Sequence, residues 1–105
     1  MTGLEFNMTF AENIENAEKG RCFFCGTDQN IELHHIFPGI NRQKSDRLGL
    51  LVPLCHNHHN EPPHGVHFST ETALIMKRYG QLRAMNENGW GIQRFVEEFG
   101  QNYLF

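Results

Sequence analysis

No run of apolar residues in this chain approaches the roughly 20 that a membrane-spanning helix needs. Met1 to Phe10 lacks a basic segment followed by a hydrophobic stretch, so the sequence predicts a soluble, unexported protein with no membrane partner. Cysteine is scarce and odd in number. Three residues cannot all pair as disulfides, which favours metal ligation in a reducing cytoplasm. Positive charge is also short: nine Lys and Arg against twelve Asp and Glu leave a net charge of −3, which excludes a nucleic-acid coat acting through bulk charge. Any phosphate contact must be local. Arg42, Lys44 and Arg47 form the one such patch, although a short charged loop is ordinarily just solvated. Repeats, linkers and low-complexity tracts are lacking as well.

What is present is a globular composition, 39% hydrophobic and 20% charged, in a length of 105 residues that fits one domain. A domain of that size buries about two-thirds of the surface its unfolded chain exposes, so a staple would help it. Leu4, Phe6, Met8 and Phe10 alternate with polar residues, a period that suits a strand. Thr9 to Glu12 can form a capping box opening a helix that ends near Gly20. Ile31–Ile36 and Leu50–Leu54 read as two antiparallel strands joined by a long polar loop. Beyond Phe68 the pattern turns helical. Ser69 caps, Glu71 suits the positive end of the dipole, Ile75, Tyr79, Leu82 and Met85 recur on one face, and Asn88-Gly89 stops the helix. A second amphipathic segment turns Ile92, Phe95, Val96 and Phe99 inward.

The chemistry concentrates between Cys22 and Phe68, which holds all three cysteines and all seven histidines. Cys22-Phe23-Phe24-Cys25-Gly26 is a knuckle, in which the glycine permits the tight turn that aims both sulfurs at one ion. Cys55-His56-Asn57-His58 repeats the spacing and completes a Cys3His set suited to tetrahedral zinc. A thioredoxin-like redox pair would need a βαβ context and would leave the second pair unexplained, as would a merely buried Cys55. Four protein ligands leave no open position, so this zinc holds the fold rather than reacting.

His34 and His35 end the first strand, His59 follows the second knuckle, and His67 lies further on. Imidazoles ligate transition metals, and a neutral one can accept a proton near neutral pH. His56 and His64 pair with nothing in spacing and read as exposed loop residues.

Cys22-x-x-Cys25, then Leu33-His34-His35-Ile36-Phe37-Pro38, then Leu54-Cys55-x-x-His58-His59, resembles the HNH endonuclease motif in the zinc-knuckled form common among phage-encoded proteins. The likeness covers residues 20–68, about half the chain. It implies an α+β fold: a zinc-stapled ββα-metal core, treble-clef-like, with C-terminal helices. The resulting organisation is one domain, with a packing element at 1–20, the core at 21–68 and a helical segment at 69–105. It further implies cleavage of DNA in the cytoplasm of a bacterial host. By position, His35 is the general base, and His34 and His59 hold one catalytic ion (Mg2+, Mn2+ or another divalent cation). His67 is the best further ligand, and Arg42, then Lys44 and Arg47, would grip phosphate. Adjacent strand residues point to opposite faces, so His34 and His35 serve one site only through a twist or bulge, and their roles are exchangeable on that ground. The sequence departs from the motif at its middle asparagine, where Leu50 stands. Asn41, Asn57, Asn60 or a backbone carbonyl is then required to orient the base. A non-catalytic zinc-finger module binding nucleic acid or protein is the rival reading, and a phage inhibitor or recruitment factor a third.

Overall fold

The computed structural model describes residues 8–105. The alternating stretch that begins at Leu4 falls largely outside them, and its last member, Phe10, opens a helix instead. That helix, α1 (Phe10–Glu18), starts from the expected capping box: the Glu12 N–H donates to Thr9 Oγ1 (3.1 Å) and the Thr9 N–H to Glu12 Oε1 (2.8 Å). Inside it, Asn13 Nδ2 donates to the Phe23 carbonyl at 2.7 Å, pinning the helix to the knuckle.

Strands β1 (Ile31–His35) and β2 (Leu51–Cys55) form a two-stranded sheet. The Ile36 N–H reaches the Leu50 carbonyl beyond one end, and the His56 N–H reaches the Asn30 carbonyl beyond the other, both at 3.1 Å, which sets an antiparallel register. The long polar loop expected between them is structured. A 3-10 turn (Gly39–Asn41) leads into α2 (Arg42–Arg47), so Arg42, Lys44 and Arg47 are helical residues. Six residues are too short for the helical period to register in a sequence. Helix α3 (His56–Asn60) follows β2 directly.

Helix α4 (Thr70–Asn88) begins where Ser69 Oγ accepts from the Thr72 N–H at 3.1 Å and ends at the expected Asn88. Its buried face differs from the expected one. Met76, Tyr79, Gly80 and Ala84 are inward, whereas Leu82 is exposed. A Cβ on Gly80 would stand 2.7 Å from both Ile36 Cγ2 and Phe37 Cε2, so these side chains occupy the space that the missing Cβ leaves. That close approach, rather than the distribution of apolar residues, selects the inward face. Helix α5 (Ile92–Phe99) buries Phe95 and Phe99 against Phe37, as its pattern predicts.

The chain divides into two compact units, one comprising the residues up to His34 together with Val52–Ala73, the other His35–Leu51 with Leu74–Phe105. The first unit has Cys22, Phe23, Phe24, Val52 and Leu54 in its interior, and the second has Ile36, Phe37, Leu50, Met76 and Phe95. Among the described residues, no helix is long and apolar enough to cross a membrane.

Candidate metal centres

Two groups of side chains in the first unit are arranged to hold a cation. The first is Cys22, Cys25, Cys55 and His58, whose ligand atoms all lie within 4.8 Å of one another. The knuckle turns as its glycine allows: Gly26 has φ +77° and its N–H reaches the Cys22 carbonyl at 2.8 Å. The other half comes from the junction of β2 and α3, where Cys55 ends the strand and His58 stands three residues on. The Cys25 and Cys55 sulfurs are 3.9 Å apart, and His58 Nδ1 lies 3.6 Å from Cys22 Sγ and 3.2 Å from Cys55 Sγ. Metal–sulfur bonds of about 2.3 Å in a tetrahedron give sulfur pairs about 3.8 Å apart and sulfur–nitrogen edges of about 3.5 Å, so the cage fits such an ion. Disulfide sulfurs would be about 2 Å apart, and all three cysteines are free. Burial pushes the Cys22 thiol up to about 12 and raises that of Cys25. Burial also lowers His58, with a smaller contribution from His64, which keeps its ring in the neutral, ligating form.

The second group is His34, His59 and His67, again with one ligand atom each within 4.8 Å of the others. Ring centroids are 5.3 Å apart for His34 and His59, 5.4 Å for His34 and His67, and 4.8 Å for His59 and His67. The Nε2 atoms of His59 and His67 stand 3.1 Å apart, a separation that two ligands of one ion with bonds of about 2.1 Å would show. The chain brings these rings together in three ways. His34 occupies a buried position of β1, at 6% exposure, while its apolar neighbour Leu33 is 59% exposed. His59 directly follows His58 on α3. His67 is fixed by an N–H donated to the His59 carbonyl at 3.3 Å. Burial, then the His59 ring, lowers the His67 pKa.

Glu32 is a member of this region that the sequence reading missed. Its Oε1 accepts from His59 Nδ1 (2.7 Å) and Asn60 Nδ2 (3.0 Å), and its Oε2 accepts from His56 Nδ1 (2.9 Å). The His56 and His59 bonds hold the carboxyl at about 2. The available signal was its place two residues before His34, on the same face of the strand. His56 is exposed as expected, but it opens α3 rather than a loop, and its other nitrogen donates to Glu61 Oε2 at 3.0 Å. The two carboxylates, Glu32 first, raise its pKa.

In the second unit, His35 has its own partners. Its Nδ1 meets Asp46 Oδ1 at 2.7 Å, and Arg42 Nη2 lies 3.1 Å from its Nε2. The His35 bond lowers the Asp46 pKa, with Arg42 contributing less. A carboxylate can only accept, so Nδ1 carries the proton and Nε2 presents its lone pair. Asp46 therefore fixes the tautomer of His35. Leu50, in the asparagine's place, is fully buried core. Asn41 instead donates to the Phe99 carbonyl at 3.1 Å, and Asn60 serves Glu32. Lys44 is bonded to the Glu98 carbonyl and lies 3.3 Å from the Glu98 carboxylate, while Arg42 and Arg47 are exposed.

No protein-family model, curated protein or solved structure matches this chain. The functional reading stands on the residues and their geometry.

Proposed function

We propose that this protein is a metal-dependent DNA endonuclease or nickase of the HNH type. A zinc ion in the Cys3His cage would hold the first unit, and one divalent ion held by His34, His59 and His67 would serve hydrolysis. The observation that carries the reading is the convergence of three imidazoles that are separate from a cage already complete without them. Three ligands leave positions open for a substrate oxygen, whereas a purely structural ion needs a closed shell.

His35, the residue after His34 in β1, is the base in this reading. With Nδ1 protonated against Asp46, Nε2 takes the proton from the attacking water. The water oxygen bonds to phosphorus, the bond from phosphorus to the leaving sugar oxygen breaks, and that oxygen takes a proton from solvent. When bound, the ion supplies the charge that offsets what builds on the phosphate and the leaving oxygen. Arg42 must then exchange His35 Nε2 for a phosphate oxygen, a geometry its planar fork suits.

Supercoiled plasmid should be nicked when Mg2+ or Mn2+ is added. His35→Ala should lower the rate by about 10²- to 10⁴-fold with folding and metal content retained. An undiminished rate in that variant removes His35 as base. Leu50 and the acidic balance favour a second reading, a zinc-binding module without catalysis. Metal counting separates them: the enzyme takes up a second ion that His34→Ala eliminates, and the module takes up zinc alone.

A further inference from the structure

The catalytic scheme makes no use of Glu32, yet its carboxylate gathers three side chains of α3. Oε1 receives His59 Nδ1 at 2.7 Å and Asn60 Nδ2 at 3.0 Å, and Oε2 receives His56 Nδ1 at 2.9 Å. His56 is held from its other side by Glu61 at 3.0 Å and directly follows Cys55, a member of the cage. Because the carboxylate only accepts, His59 carries its proton on Nδ1 and turns the Nε2 lone pair toward His67 Nε2, 3.1 Å away. An imidazole that could choose its tautomer would spend part of its time with that lone pair capped by hydrogen, and its ring could rotate off the shared centre.

We propose that Glu32 is the positioning residue of the imidazole group, fixing the tautomer and ring direction of His59 and tying that ring to the start of α3. The proposal rests on the nuclease reading only in taking the three imidazoles as an ion site. Carboxylates that hold a ligating histidine in this way contribute about 10- to 100-fold to ion affinity.

The test titrates Co2+ into protein already carrying one zinc, comparing the wild type with Glu32→Gln and Glu32→Ala by visible absorption. The nitrogen-15 shifts of the His59 ring are recorded before Co2+ is added. The wild type should take one Co2+ without thiolate charge-transfer bands. Glu32→Ala should bind it about 10- to 100-fold more weakly, with Glu32→Gln between them, since an amide oxygen still accepts one bond. In both variants the His59 shifts should move from a single Nδ1-protonated tautomer toward a mixture, while zinc content stays at one. Unchanged Co2+ affinity and an unchanged tautomer in Glu32→Gln overturn the proposal. If Glu32→Ala does not fold, the near-isosteric Glu32→Gln decides. A wild type that takes no Co2+ sinks the nuclease reading instead, and the His59 tautomer alone then decides whether Glu32 positions the ring.

Discussion

His34 fills an inward position of β1 that a strand in a small core ordinarily gives to an aliphatic side chain, and Leu33 beside it faces solvent. Of the two neighbours it is the polar ring that turns inward and joins His59 and His67. His34→Leu should abolish uptake of the second ion while zinc content stays at one, measured by metal analysis of the purified protein. Uptake of a second ion by that variant would remove His34 from the site. The Cys3His group was legible in the sequence because each of its halves lies within a few residues of chain, and His34, His59 and His67 through the register of the motif they resemble. Their carboxylate partners were not, since Glu32 meets His59 across 27 residues and Asp46 meets His35 across 11, separations that only the folded register closes. Asp46→Ala should slow nicking, by less than the loss on removing His35, and leave both metal stoichiometries unchanged.

Elements followed the sequence where a terminal signal or a strong period was present. The capping box fixed the start of α1, and Thr9→Ala should cost about 1 kcal/mol in thermal unfolding, because the Glu12 N–H loses its Oγ1 acceptor. Helix α5 carries its apolar residues on one side and buries Phe95 and Phe99 of the four expected, with Ile92 and Val96 half-buried. Helix α4 does not, because its apolar residues are spread around the axis and the decisive contact is made by a residue with no side chain. Gly80→Ala would push a methyl into Ile36 and Phe37 and should destabilise by about 1–3 kcal/mol, measured by denaturant unfolding. A neutral result would mean that those two side chains can retreat. Helix α2 was invisible for a different reason: it is fastened by tertiary bonds, Lys44 to Glu98 within it and Asn41 to the Phe99 carbonyl just before it, rather than by an apolar stripe.

For the molecule as a whole, an ion in the cage would contribute on the scale of the entire fold. Binding of a structural zinc is worth about 10–16 kcal/mol at neutral pH, as much as the entire stability of an ordinary domain, about 5–15 kcal/mol. Chelation should unfold at least the first unit, seen as loss of helical circular dichroism and of the His34, His59 and His67 ring contacts. Loading has a proton balance as well. Thiols are protonated at neutral pH without metal, so Cys22, Cys25 and Cys55 must release protons to ligate. Zinc uptake in weak buffer should therefore acidify the solution, and apparent affinity should fall as pH is lowered.

Helix α3 gives consecutive residues to different centres, His58 to the cage and His59 to the imidazoles. Each helical residue advances the direction of its side chain by about 100°. Inserting one alanine between these two positions would leave every side chain of the motif in the protein and still swing His59 away from its companions. In a scan of single-residue insertions, that one peptide bond should stand out as intolerant, though nothing has been deleted.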